Sequence, residues 1–140
     1  MSDEPGSLPA PAPPVTPETN EFWAATAAGR LLLKRCLDCA SVIWYPRVIC
    51  PHCSSLRTEW FAASGHGCVY SYTVNHRGEG AYQDSAPFVL AYVELEEGPR
   101  IMTNIIGAEV TELAVGLPVE VVFCDTGAGS ALPRFRPRAS

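Results

Sequence analysis

Four cysteines stand as two CxxC pairs, Cys36/Cys39 and Cys50/Cys53, separated by the ten residues ASVIWYPRVI. A CxxC turn brings two thiolates to one side of a tight backbone knuckle, and a tetrahedral Zn²⁺ takes four such ligands at about 2.3 Å. Two knuckles therefore close one tetrahedron, and Cys36, Cys39, Cys50 and Cys53 are the candidate metal ligands. Four protein thiolates leave no open position for water or substrate, so the pattern predicts a structural rather than a catalytic zinc. The same ligand set also suits iron. A thioredoxin-like redox pair is disfavoured, because no βαβ context surrounds either CxxC. His52, inside the second knuckle, reads as solvent-facing or as a support behind the ligands rather than a fifth candidate. Cys68 and Cys124 fall in apolar runs and read as buried thiols acting as small hydrophobes.

Little else in the chain has the spacing of a catalytic site. His66, framed as GHG, and His76, before RGEGAYQDS, have no nucleophile or orienting carboxylate beside them in sequence. There is no Gly-rich phosphate loop, serine elbow or metal-binding carboxylate cluster, so no catalytic residue is assigned. One basic cluster carries a ligand hypothesis. In LPRFRPRAS, Arg134, Arg136 and Arg138 recur at every second position, and an extended strand points such residues to one side. Planar guanidinium donors suit phosphates, and Arg77 or Arg100 would join them if the fold allowed. A solvated basic tail and a contact to an acidic partner are the other readings of the same residues.

These residues have to be positioned by short elements. LLLKR before the first knuckle and RTEWF after the second can pair as flanking strands, with the intervening ten residues running out and back as a hairpin whose tip presents Trp44 and Tyr45. Downstream, short apolar runs broken by Gly, Pro and charge predict strands near 57–63, 67–76, 87–96, 100–106, 118–125 and 131–136, after those near 31–35 and 42–45. AEVTELAVG reads as one helical turn before the last strands. About five strands with one helical interruption predict a small Greek-key barrel of the OB kind. Upstream, Thr16 as N-cap, Pro17, early acidic residues and Gly29 as terminator predict a helix over 17–28. Its Phe22 and Trp23 need a covering surface, either the chain's own body or a partner. The fold class is thus mainly β: a tail over 1–15, an N-terminal helix within 16–30, a zinc ribbon over 31–60 and an OB-fold barrel over 61–140.

Composition narrows the setting. The 140 residues are 47% hydrophobic and 18% charged, a globular balance, while six of the thirteen prolines crowd the first seventeen positions and predict a mobile tail there. No apolar run is long enough to cross a membrane and the start lacks the pattern of a secretory signal, so a cytoplasmic protein is expected. In a reducing compartment the cysteines are better explained by metal than by disulfides. A formal charge of −5 counts against a dedicated nucleic-acid binder. A single-stranded nucleic-acid surface built from Trp44, Tyr45, Tyr70, Tyr72 and the C-terminal arginines stays as a rival reading. A free-standing acyl-CoA carrier is a third.

Taken together, ETNEFWAATAAGRLLLKRCLDC, YPRVICPHCSS, EWFAASGHGCVYSYTV and PFVLAYVELEEG resemble the domain of unknown function 35 family, from about Thr16 to Pro133. The resemblance implies an N-terminal helix, a rubredoxin-like zinc ribbon bound through Cys36, Cys39, Cys50 and Cys53, and an OB fold. It implies no catalytic residue, because members of the family resemble accessory subunits whose thiolase-fold partners hold the chemistry. Those partners are thiolases, hydroxymethylglutaryl-CoA synthases or lipid-transfer-type aldolases that cut steroid side chains. The expected role is an accessory subunit handling an acyl-CoA in a hetero-oligomer, most closely an aldolase of the steroid type. Coenzyme A would be a shared ligand, with Arg134 and Arg136 as its expected phosphate contacts.

Overall fold

The computed structural model describes residues 8–139. Of the tail predicted over 1–15, residues 1–7 lie outside the described residues, and 8–15 carry neither helix nor strand.

Helix α1 (Asn20–Ala27) begins three residues later than the sequence predicts. Thr16 and Thr19 bond to each other in a turn of their own: the Thr19 N–H donates to the Thr16 carbonyl at 3.0 Å, and the Thr16 N–H donates to Thr19 Oγ1 at 3.1 Å. Thr19 becomes the N-cap, but its hydroxyl faces back to Thr16 and makes no cap bond. The C-terminal end follows the expected chemistry. Gly29 adopts φ 79°, its N–H donates to Thr26 O, and the Arg30 N–H donates to Ala25 O, which is a Schellman closure.

Strands β1 (Leu32–Cys36), β2 (Val42–Ile43) and β3 (Thr58–Ala62) form a three-stranded antiparallel sheet ordered β2-β1-β3. The flanking segments pair as expected, from Leu32 opposite Ala62 to Cys36 opposite Thr58.

The second sheet is a closed barrel ordered β4-β5-β6-β8-β7, from β4 (His66–Asn75), β5 (Phe88–Leu95), β6 (Arg100–Ile105), β7 (Pro118–Asp125) and β8 (Ala131–Pro137). Strand β4 closes it by serving two neighbours: it pairs with β5 over its length and with β7 through His66, Gly67 and Cys68. Gly67 is required at this shared corner, because a Cβ there would sit 2.5 Å from the Glu94 carbonyl oxygen. A bulge at Tyr70 lets β4 bend between its two partners. The single parallel pairing, Ile105 with Phe135, joins β6 to β8. Alternation does the rest: Val89, Ala91, Val93 and Leu95 of β5 point inward with Ile101 and Ile105, while Leu90, Tyr92 and Glu94 point outward. Short 3₁₀ turns, Gly80–Tyr82 and Val110–Glu112, interrupt the β4–β5 and β6–β7 connections.

Helix α1 is the bridge between the two sheets, contacting β1, β7 and β8. Phe22 is fully buried and Trp23 nearly so, within the same core as Leu33, Val69 and Phe135. Thr26 fixes the crossing, since its hydroxyl donates to Trp23 O and accepts the Ala131 N–H at the start of β8. Of the two expected covers for the aromatic pair, the chain's own body is the one realised.

Candidate functional site

The two knuckles are near copies. Each buries its first cysteine and leaves its second at the surface: Cys36 and Cys50 are buried, Cys39 and Cys53 exposed. In the first, the Ala40 N–H donates to Cys36 O and the Cys36 N–H to Ser41 O; in the second, Ser54 and Ser55 make the same pair of bonds with Cys50. Ala40 and Ser54 both hold a left-handed backbone, which turns the chain back at the end of each loop. Backbone N–H groups of Asp38 and Cys39 point at Cys36 Sγ, and that of His52 at Cys50 Sγ, each at 3.4 Å.

All four sulphurs lie within 4.8 Å of one another. Cys36 and Cys53 approach to 3.5 Å and Cys39 and Cys50 to 3.7 Å. A tetrahedron with metal–sulphur bonds of about 2.3 Å has edges of about 3.8 Å, so the arrangement fits a four-thiolate ion. The electrostatics agree. The Cys39 backbone N–H is the main influence holding the Cys36 thiol below its ordinary value. The Ser41 hydroxyl, with its backbone, brings Cys39 down to about 6. At Cys53 the Ser55 backbone N–H favours the thiolate, yet the Cys36 side chain, burial and the other thiols outweigh it and push the group up to about 12. Four sulphurs this close resist carrying four negative charges alone, and a central divalent cation removes that resistance.

Asp38, inside the first knuckle, is a residue the spacing did not single out. Its carboxylate accepts from the Ser55 hydroxyl and the Arg57 guanidinium, tying the first loop to the exit of the second. An acid within one CxxC and an arginine four residues beyond the other was the available signal. His52 is exposed, and its backbone N–H meets Cys50 Sγ.

The hairpin tip departs from expectation. Trp44 and Tyr45 are not held out from the body: both rings lie against Phe22, at 5.4 and 6.0 Å between centroids, and Tyr45 Oη accepts the Trp23 indole N–H. Glu18 completes the joint by accepting the Val48 N–H at 2.6 Å. Tyr45 nonetheless keeps 39% exposure, and with the exposed Arg47 and the aliphatic Val48, Ile49 and Leu56, each at least half exposed, it borders a depression that Pro14 and Pro46 also line.

The arginines do lie on alternate positions of β8 and its continuation, but they do not form one phosphate-facing row. Arg134 is 3% exposed and donates through Nη2 to Pro9 O at 2.6 Å and to Tyr82 Oη at 3.1 Å. Arg136 pairs with Glu120, directly opposite on β7, at 2.9 Å. Arg138 meets His66 Nδ1 at 2.6 Å, and His66 in turn lies 3.7 Å from Glu96. Arg100 is engaged by Glu94 and covers the Tyr70 ring, whereas Arg77 is exposed on the β4–β5 loop. His76 is likewise an exposed loop residue. Cys68 and Cys124 are half-buried rather than fully buried thiols.

Residues 23–59 match the family described as ChsH2, rubredoxin-like zinc ribbon domain, and residues 60–124 match ChsH2, C-terminal OB-fold domain. A DUF35 domain-containing scaffold protein of Methanothermobacter thermautotrophicus is 38% identical over 90 residues, covering 64% of this chain and 68% of that protein. The chain belongs to the DUF35 family. Among solved DUF35 structures, the one described as Ltp2-ChsH2(DUF35) aldolase matches with TM-score 0.80 and 33% identity, over 90% of this chain and 98% of that one. A probable enoyl-CoA hydratase alpha subunit of Thermomonospora curvata is 36% identical over 126 residues, 89% of this chain; the chain spans only 39% of that protein's length. The zinc ribbon and five-stranded barrel of this DUF35 chain are therefore both shared with its relatives.

Proposed function

We propose that this DUF35 chain is a zinc-held accessory subunit without catalytic residues of its own, completing a thiolase-fold enzyme that cleaves a C–C bond in an acyl-CoA. The observation that carries the reading is the likeness to the DUF35 chain of the Ltp2-ChsH2(DUF35) aldolase, 33% identical over 98% of that chain. The hydratase relative supports only the CoA part, because most of its length has no counterpart here. The finer reading is retro-aldol cleavage of a steroid side-chain CoA thioester. A partner base removes the β-hydroxyl proton, the C–C bond breaks, and charge flows to a thioester oxygen held by partner donors. A thiolase or hydroxymethylglutaryl-CoA synthase partner is the alternative within the same class.

The architecture supports a docking role. Metal and helix together hold the ribbon tip in place, and that tip presents the aliphatic Val48, Ile49 and Leu56. Cys36, Cys39, Cys50 and Cys53 would hold the zinc, and a thiolate centre suits a reducing, cytoplasmic setting. The rival nucleic-acid surface is less well supported. Trp44 and Tyr45 are packed on α1, Tyr70 lies beneath Arg100, and Tyr72 donates to Leu113 O.

The test is co-purification with a thiolase-fold protein encoded beside it, with acyl-CoA cleavage measured for each component and for the complex. The reading expects an inactive isolated chain and a stable, active complex. A partner fully active and stable alone overturns it, as does a salt-dependent shift with a single-stranded oligonucleotide that acyl-CoA does not produce.

A further inference from the structure

We propose that Arg134 and Tyr82 form a phosphate-binding site that the chain's own proline-rich segment, residues 8–15, covers as a displaceable strap. The proposal deepens the acyl-CoA reading, on which it rests for the source of the phosphate.

Three observations converge. First, Arg134 lies on the same face of β8 as Arg136, yet it is 3% exposed while Arg136 stands in solvent. What covers it includes the strap: Pro9 contributes its carbonyl oxygen, 2.6 Å from Nη2, and Tyr82 its hydroxyl at 3.1 Å. Both are neutral acceptors, and among the described residues no carboxylate pairs with Arg134. A guanidinium gains more from an anionic oxygen than from a carbonyl dipole, and the gain is larger where water is excluded. The Pro9 oxygen stands where a phosphate oxygen would be better received.

Second, the strap is weakly held. Pro9, Pro11, Pro13 and Pro14 have no N–H to donate, and no backbone–backbone hydrogen bond joins residues 8–15 to the rest of the described chain. Its polar anchor on the barrel is the Pro9–Arg134 bond. Releasing it costs one hydrogen bond and the cover of a few proline rings, and returns conformational freedom to the segment.

Third, the site opens onto a place for the rest of a ligand. Tyr82 also lines a groove of about 520 Å³ beside the β4–β5 loop, with Asn75, Arg77, Phe88 and Asn104, and with Glu79 as its one acid. Tyr82 and Phe88 form an aromatic wall, their centroids 5.5 Å apart. Phosphate at Arg134, a second cation at Arg77 and the Tyr82 and Phe88 rings, inclined at 40° to each other on the groove wall, suit a phosphorylated nucleoside.

The experiment titrates adenosine 3′,5′-bisphosphate, and inorganic pyrophosphate in parallel, into the zinc-loaded full chain and into a variant lacking residues 2–15. Affinity is read by calorimetry. In the full chain, the Arg134 side-chain and the Leu8 and Ala10 amide resonances are followed by NMR. The full chain should bind, with the Leu8 and Ala10 signals moving to free-chain positions as the Arg134 signal shifts. Deletion should tighten binding about tenfold, as expected for a strap open about a tenth of the time. Arg134→Gln should abolish binding in both backgrounds. Should that variant not fold, Tyr82→Phe carries the test and should weaken binding severalfold. Equal affinity with and without the segment overturns the strap. Unchanged affinity in a folded Arg134→Gln or Tyr82→Phe variant, or no binding by either form, overturns the site. An active complex with a thiolase-fold partner despite those negative results would leave the accessory-subunit reading standing. Strap-dependent binding without any such complex would refute that reading alone.

Discussion

Ala40 and Ser54 occupy equivalent places, each directly after the second cysteine of a knuckle, at φ 66° and 68°. A side chain in that region costs of the order of 1 kcal/mol, and glycine there costs less. Ser54→Gly should therefore raise the melting temperature of the zinc-loaded protein in a calorimetric scan; a lower value would mean the Ser54 side chain does more than occupy the turn. The ligands themselves behave oppositely. Cys50→Ala removes a fully buried sulphur and leaves three ligands, and should cut bound zinc, measured by elemental analysis, well below one per chain. Asp38 ties the knuckles together through groups that are largely exposed, so Asp38→Asn should change stability by less than about 1 kcal/mol in a denaturant titration. The grouping of the four cysteines was legible from spacing alone, since CxxC geometry is a local property of a few bonds. The roles of Asp38 and Tyr82 were not, because their partners lie 17 and 52 positions away.

At the scale of elements, the ribbon and the barrel are stabilised differently. The barrel closes on itself around Val69, Val93, Ile101, Val119 and Phe135, whereas the sheet β1–β3 has only five-residue and two-residue strands and a small cluster of Cys36, Ile43 and Cys50 at its knuckle end. Chelation should accordingly remove hydrogen-exchange protection from β1–β3 while leaving β4–β8 protected; simultaneous loss in both would show that the metal supports the whole molecule. Helix α1 couples the two units. Phe22→Ala, which empties a fully buried site shared by ribbon and barrel, should cost about 3–5 kcal/mol by chemical denaturation. Strand limits came within about two residues of expectation, and β5 and β6 show the period-two burial on which that expectation rests. The start of α1 did not come so close, because two threonines three positions apart preferred each other to the helix N-terminus.

At the scale of the whole molecule, the ribbon tip exposes Val48, Ile49 and Leu56, while on the barrel flank the proline-rich segment lies over Arg134. If the tip docks the partner, Ile49→Asp should weaken the complex by tenfold or more in a binding titration and leave the melting temperature of the isolated chain unchanged. A large fall in melting temperature would place Ile49 in this chain's own packing instead.

The sequence by itself determined the grouping of four cysteines into two CxxC knuckles, the strand order along the chain and the family. Each rests on spacing over a few residues or on period-two alternation, and neither needs distant partners. Only the tertiary structure decided which way the aromatic and basic residues serve. Trp44 and Tyr45 turn onto α1 because Phe22 and Trp23 offer an apolar surface that water does not. Arg134 keeps its place on the β8 face but is buried, because Pro9, 125 positions earlier, lies over it. Contacts at that range are set by how the folded elements meet, and no local pattern encodes them.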